Sequence, residues 1–314
     1  MTTPEGLLTG ASGFLGRFVL RSLTEGRWQI TTLGRSPVEG ARSLLADLRT
    51  SFDLGKENFT TVYHLAGLAH LVPRTEAERE MYFRVNVEGT RNLLTALERL
   101  PQLPESFVLI STVAVYGLKH GSLLDESTPR HASDPYGSSK RQAEDLCIEW
   151  CTRHGVRAGI VRLPLVAGPG APGNLGAMLK QLLRGPYFGI GSGSARRSMV
   201  WVRDVANILP RVAACGGVFH LTDGHHPSYA EFEAALCSIL GRRVPCRLPL
   251  PVARLGALIG DSIEAVAKLR SPFNTRTLQT MTSTLTFSDQ RARAMLRWNP
   301  AQVLDCVAEL VVQP

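Results

Sequence analysis

The stretch TGASGFLG, residues 9–16, constrains this chain more than any other. It follows the apolar run GLLTG, leads into a helical pattern over 14–23, and carries glycines at Gly10, Gly13 and Gly16. A strand that ends in a glycine turn and feeds a helix brings backbone N–H groups and the positive end of the helix to one point. Such a point suits a pyrophosphate. The spacing therefore predicts a dinucleotide site in which Gly10, Ser12, Gly13, Phe14, Leu15 and Gly16 meet the ligand.

The rhythm begun there continues. QITTLG, TVYHLAG, SFVLIST and VRAGIVRLPLV read as strands, and 76–100 and 136–154 as helices. Strands alternating with helices predict an α/β fold, a Rossmann-type doubly wound parallel sheet covered on both faces. After GPGAPG, residues 168–173, the rhythm loosens. A helix over 174–184, a strand at RRSMVWV, a helix over 204–214 and a return to the main sheet at GVFHLT are expected, then a mostly helical remainder. The expected division is a nucleotide-binding domain of residues 1–167 plus about 195–222, and a smaller, mostly helical substrate domain made of 168–194 and 223–314.

With 314 residues, 44% hydrophobic and 20% charged, the chain can bury a substantial core. Its formal charge of +8 favours anionic partners. The Lys and Arg residues neither cluster nor interleave with aromatics, so no nucleic-acid partner is expected. MTTPEGLLTG lacks the basic start and long apolar run of a secretion signal. LPLPVARLGALIG is too short to span a bilayer, so no stable membrane insertion is expected. It reads as a buried helix of the smaller domain, with a monotopic membrane contact as the lesser alternative. The six cysteines form no CxxC pair and no His/Cys cluster; no metal site is expected, and reduced thiols point to the cytoplasm.

The second strand should end near an adenosine ribose, where an acidic residue would select NAD. Here the sequence reads TTLGRSP, with Arg35 and Ser36 at that place and no Asp or Glu between Ile30 and Ser36. An arginine there suits a 2′-phosphate, so NADP is the preferred cofactor and NAD the alternative. Asp47 and Leu48, after the apolar SLLA, are placed beside the adenine.

In SDPYGSSK, Tyr136 and Lys140 stand four apart, on one face of a helix that Asp134 would cap and Pro135 would start. A phenol's ordinary pKa of ~10 is too high for a base near neutrality, and a nearby ammonium would lower it. Taken alone the pair is a weak signal. Thr112, at the carboxyl end of SFVLIST, strengthens it, because the strand ends of such sheets gather the chemistry.

With these residues in view the chain resembles the extended short-chain dehydrogenase/reductase family, in its NAD(P)-dependent sugar-nucleotide epimerase, dehydratase and ketoreductase branch. TGASGFLG, HLAG, NVEGT, STVAVYG and DPYGSSK stand in the family's order, and the likeness continues through RLPLVAGPG, RRSMVWVRDVA and LRWNP. The resemblance implies that Tyr136 is the catalytic acid/base, Lys140 its ribose-binding partner and Thr112 the catalytic hydroxyl. It implies that Asn86 organises the site, and that His64, Leu65, Ala66 and Gly67 line the strand end beside the cofactor, with Pro164 near the nicotinamide. Asn174 and Arg197 would contact the nucleotide diphosphate and Arg276 would be a second clamp. One departure is Leu165, which stands where many members carry asparagine after Arg162 and fits a subgroup handling bacterial surface-sugar precursors.

The resemblance implies hydride transfer at C4 of a nucleotide-linked, UDP-type sugar, with a 4-keto sugar reductase preferred and a UDP-hexose 4-epimerase holding NAD as the alternative. A dehydratase would carry an Asp-Glu pair where Val113 and Ala114 follow Thr112. A non-catalytic NADP-binding sensor or structural subunit is the alternative of another class, and retention of both Tyr136 and Lys140 argues against it. The helices of 76–100 and of Tyr136 could pair in the four-helix bundle of a homodimer, as the resemblance implies.

Overall fold

The computed structural model describes residues 3–69, 71–184, 187–267, 271 and 273–311. The chain runs β1 (Glu5–Thr9), α1 (Phe14–Glu25), β2 (Gln29–Gly34), β3 (Arg42–Leu45), β4 (Thr61–His64), α2 (Glu76–Phe83), a π-helical turn (Arg84–Glu88), α3 (Gly89–Leu97) and β5 (Ser106–Thr112). A short 3-10 turn (Val113–Tyr116), β6 (Gly121–Leu124), α4 (Pro135–His154), β7 (Arg157–Leu163), β8 (Leu165–Ala167) and α5 (Gly173–Arg184) follow. Then come β9 (Gly189–Ile190), β10 (Met199–Trp201), α6 (Val202–Cys215), β11 (Gly217–His220), α7 (Tyr229–Ile239), β12 (Arg247–Leu248) and α8 (Leu250–Ala267). The chain closes through α9 (Thr275–Thr282), β13 (Leu285–Phe287), α10 (Gln290–Leu296) and α11 (Val307–Val311).

Seven strands pair in parallel in the order β11-β7-β5-β4-β1-β2-β3. The central strands turn apolar side chains to both faces because both are covered. Leu8, Val108 and Val161 point into a core with Val19, Val205, Leu209 and Phe219, from α1, α6 and β11. Their neighbours Leu7, Phe107 and Leu109 point the other way, onto Leu93, Leu97, Cys147 and Trp150 of α3 and α4. The order reverses between β1 and β4, so the carboxyl ends of those two strands flank the switch point where doubly wound sheets bind ligands.

The expected strand VRAGIVRLPLV divides at Pro164, which has no N–H to give to a ladder. β7 stays in the main sheet, whereas β8 turns away to pair with β10. RRSMVWV contributes only Met199–Trp201 as strand; Arg196 and Arg197 make isolated bridges to Ser228 and Leu285. The helix expected over 76–100 is three pieces, because the π turn at Arg84–Glu88 interrupts its period.

α8 departs most from expectation. Only Ala253 and Ala257 are buried apolar anchors, packed with Ile190, Leu278 and Phe273. Beyond Leu250, which packs against the same cluster, the larger side chains of the helix face outward, from 44% exposed at Ile263 to 86% at Val266. No described helix is long and apolar enough to cross a membrane.

Candidate active site

The glycine loop sits at the switch point. Gly10 adopts φ +75°, the left-handed region that favours glycine, and its carbonyl accepts from Gly13 N at 3.0 Å. A Cβ on Gly16 would fall 2.0 Å from that same carbonyl oxygen, so the loop and α1 can close on each other only with glycine there. Gly13 caps α1 with no side-chain hydrogen bond, and no acidic residue stands in the first turn. The first N–H groups of the helix therefore have no side-chain carboxylate or hydroxyl competing for them. Ser12 is exposed, and Phe14 and Leu15 are half-buried at the start of α1. This cradle fits a dinucleotide pyrophosphate.

Arg35 and Ser36 follow the end of β2 and are both exposed. Asp47 is differently occupied than expected: Arg49 holds its carboxylate through Nε at 3.0 Å and Nη2 at 2.6 Å, and these bonds pull its pKa down to about 2. Leu48 is buried against Gly89, and its carbonyl accepts from Asn92 Nδ2.

On the other side of the switch point, β4 ends at His64 and is followed by Leu65, Ala66 and Gly67. His64 is a structural ring. It lies between the Thr9 hydroxyl at 2.7 Å and the Thr90 hydroxyl at 3.0 Å, and burial pushes its pKa down to about 3. The Thr9 hydroxyl also accepts from Ala66 N at 3.1 Å, fixing the strand end beside Gly10. Asn86, buried in the π turn, accepts from Leu68 N at 2.7 Å and donates to Leu68 O at 3.1 Å. Its amide also donates to Ser139 Oγ at 3.0 Å, and Ser139 donates to the Tyr136 carbonyl at 2.9 Å. One side chain thus ties the loop after β4 to the first turn of α4.

That turn forms as the sequence predicts. Asp134 caps it by accepting from Gly137 N at 3.0 Å, and Pro135 occupies its first position. Tyr136 is half-buried, its ring 5.8 Å from that of Tyr82. Burial pushes the Tyr136 phenol up to about 12, against the opposing influence of the nearby Thr112 hydroxyl. This direction is opposite to the one expected from a neighbouring ammonium. Lys140 is buried and turns its amine to the carbonyl of Ile110 at 2.5 Å. Burial lowers its pKa to about 8, against the raising effect of Glu144.

Glu144 opens a network that the motifs did not reveal. Its carboxylate is fully buried and accepts from Arg162 Nε at 3.1 Å and Nη2 at 2.8 Å, from Arg130 Nη1 at 3.0 Å and from the Ser111 hydroxyl. Arg162 also donates to the Tyr116 hydroxyl at 2.7 Å, which lies 2.6 Å from His220 Nε2. Sequence reasoning treated Arg162 only as the start of RLPL. A usable signal existed in Glu144, a carboxylate four residues beyond Lys140 on the same helix face.

Pro164 joins the carboxyl end of β7 to β8. Arg197 donates through Nη2 to Thr280 O at 2.5 Å, while its Nε is buried without a partner. Arg276 is exposed on α9, close enough for its charge to favour ionisation of the Tyr82 phenol. It therefore shares a neighbourhood with Tyr136. Asn174 lies in the first turn of α5; its side chain is outside the described part of the structure. No group of three or more His, Cys, Asp or Glu that could hold a metal occurs among the described residues.

The profile of the NAD dependent epimerase/dehydratase family matches residues 6–217, which hold the loop, the switch point and the Tyr136–Lys140 helix. The chain belongs to this family. A UDP-glucose 4-epimerase of Vibrio cholerae is 29% identical over 95% of this chain and 91% of its own length. An N-acetyl-alpha-D-glucosaminyl-diphospho-ditrans,octacis-undecaprenol 4-epimerase of Escherichia coli is 29% identical over 83% of this chain and 80% of its own. RMD from Pseudomonas aeruginosa, solved with NADPH, superposes with a TM-score of 0.75 at 22% identity, covering 98% of both chains. As an epimerase/dehydratase family member, the chain is an NAD(P)-dependent enzyme of the extended short-chain dehydrogenase/reductase type.

Proposed function

We propose that this enzyme is a 4-keto sugar reductase that acts in the cytoplasm on a nucleotide-linked, UDP-type sugar with NADPH as reductant. The observation that carries the reading is the placement of Thr112, at the carboxyl end of β5, and of Tyr136, in the first turn of α4, at the strand ends beside the glycine loop. Gly10, Gly13, Gly16, Ala66, Gly67 and Lys140 would hold the dinucleotide, and Arg35 its 2′-phosphate. When bound, the dinucleotide supplies the hydride. Thr112 bonds the carbonyl oxygen of the sugar and Tyr136 delivers a proton to it as C4 is reduced. The phenol is protonated at neutral pH, as a group that delivers a proton in the reductive direction must be. Arg197, with its unpartnered buried Nε, and Arg276 would hold the diphosphate, with Asn174 beside them. Residues 168–194 and 223–314 would form the substrate side.

A second reading concerns the carrier rather than the chemistry. The E. coli relative is named for a sugar on a polyprenyl diphosphate, and the outward apolar face of α8 favours such a carrier here as well.

The test is incubation with NADPH and a UDP-4-keto-6-deoxyhexosamine. NADPH should be consumed, and Tyr136→Phe should lower kcat by about 10²–10⁴-fold while NADPH still binds. Undiminished turnover by Tyr136→Phe would sink the assignment. C4 interconversion of a UDP-hexose without added cofactor, and no NADPH consumption, would replace it with the epimerase.

A further inference from the structure

We propose that Glu144 is a positioning residue for Lys140, supplying the counter-charge that holds its ammonium at the carboxyl ends of β4 and β5. Tyr136, Lys140 and Glu144 follow one another at intervals of four along α4, so they form one stripe. The stripe runs inward: Tyr136 is half-buried, Lys140 is 6% exposed and Glu144 is wholly buried. The reduction proposed above uses the first two and gives the third no part.

β5 joins the amine to the carboxylate. Lys140 Nζ donates to the Ile110 carbonyl at 2.5 Å, and the next residue of the strand, Ser111, donates its hydroxyl to Glu144. The amine also stands beside the loop after β4, where a Cβ on Gly67 would lie 3.7 Å from it. Arg162 holds the same carboxylate from β7 through Nε at 3.1 Å and Nη2 at 2.8 Å, and Arg130 holds it through Nη1 at 3.0 Å. Glu144 is therefore fixed against the strand end that receives the amine.

An ammonium this deep stays charged only beside an opposite charge. The titratable groups that interact with it are Glu144 and Cys147 from α4 and His64 from β4. Burial pushes His64 down to about 3, so its ring is neutral. The neighbouring Cys151 and burial push the Cys147 thiol up, so it is neutral too. Tyr136, one turn earlier, keeps its proton. β5 presents a carbonyl and a hydroxyl, and the π turn presents the uncharged Asn86. The counter-charge is left to Glu144. The amine turns to Ile110 rather than to the carboxylate, so Glu144 acts on it by charge across the gap.

The consequence for the site is a matter of pH. Burial lowers the Lys140 amine to about 8 even with Glu144 opposing it, so at pH 7 the amine is charged by a narrow margin. Removing the carboxylate would leave it neutral there, and a neutral amine is a weaker donor to the hydroxyls of a ribose. This last step rests on the reading above in which Lys140 holds the dinucleotide; the pairing of Glu144 with Lys140 does not.

The experiment is an NMR titration of the whole enzyme labelled with ¹³C at lysine Cε, without substrate or NADPH. The chain has five lysines, so the Lys140 signal can be assigned by its loss in Lys140→Met. The double variant Glu144→Leu, Arg162→Met exchanges both buried charges for apolar side chains and strands neither. Its Lys140 midpoint should fall from about pH 8 to about pH 5–7. Arg130→Gln takes a half-buried guanidinium off the same carboxylate and should raise the midpoint by about 0.3–0.5 pH units. These opposite directions are not what a purely structural role would give, and Arg130→Gln carries the test if the double variant does not fold. NADPH affinity, read by fluorescence titration, should fall above about pH 8 in the wild type and be about tenfold lower at pH 7 in the double variant. A Lys140 midpoint that stays in place in the double variant, or that falls in Arg130→Gln, would overturn the proposal. A midpoint that moves as expected while NADPH affinity does not would uphold the pairing and refute instead the reading in which Lys140 holds the dinucleotide.

Discussion

Replacing Glu144 by glutamine should cost this protein about 3–5 kcal/mol of stability, because it strands a buried guanidinium. The side chain of Arg162 is 5% exposed and that of Glu144 is wholly buried. With glutamine there, Arg162 has at most one amide oxygen beside the Tyr116 hydroxyl at 2.7 Å and the Glu126 carbonyl at 3.2 Å, none of them charged. Arg130 adds little to the loss, since it is partly exposed and retains Asp145 at 2.7 Å. A domain's whole stability is about 5–15 kcal/mol, so the variant should lose a third or more of it. Urea unfolding followed by tryptophan fluorescence reads the change as a lower midpoint at constant slope. The double variant Glu144→Leu, Arg162→Met removes both charges and should recover to within about 1 kcal/mol of wild type. A loss under about 1 kcal/mol in Glu144→Gln, or a double variant no better than the single one, would refute this account of the network.

Other expectations follow from the same geometry. Gly16→Ala should weaken NADPH binding by more than about tenfold and destabilise the fold by about 1–3 kcal/mol, read by fluorescence titration and urea unfolding, because its Cβ meets Gly10 O at 2.0 Å. Arg35→Ala should lower the preference for NADPH over NADH by about tenfold in the ratio of kcat/KM values. Lys140 has a folded-state pKa of about 8 against an ordinary 10.5, so the unfolded chain binds more protons between those values and this group makes stability rise with pH across that window. Lys140→Met should flatten the rise and be more stable than wild type at pH 7 by on the order of 3 kcal/mol, as measured by urea midpoints at pH 7 and pH 10.

What could be read from the chain alone had local causes. β1, the glycine turn and α1 were legible because both-face burial makes the centre of β1, Leu7 and Leu8, apolar and because the turn admits little but glycine. α4 was legible because Asp134, Pro135 and Gly155 mark its two ends. The network under Lys140 was not, since Ser111, Tyr116, Glu144, Arg162 and His220 come from five elements and meet only once β5, β7 and β11 pair. The direction of the Tyr136 pKa was missed for a related reason: spacing puts Lys140 on its face, but the amine bonds Ile110 instead and burial dominates. Asp47 looked free for an adenine because nothing in the spacing says that Arg49 folds back on it. The outward face of α8 was hidden by composition, because an apolar helix reads the same whether its stripe is covered or not.

The π turn at Arg84–Glu88 has a consequence for how this chain can vary. A single π turn holds one residue more than an α-helix needs to connect the same two flanks. Deleting one residue there would let α2 and α3 fuse into a continuous helix while Tyr82 on one side and Leu93 and Leu97 on the other kept their places in the core. Only the reach of Asn86 to Leu68 and Ser139 would go. At this point the length of the chain, rather than its chemistry, separates a protein that merely folds from one whose loop after β4 is fastened to the tyrosine helix.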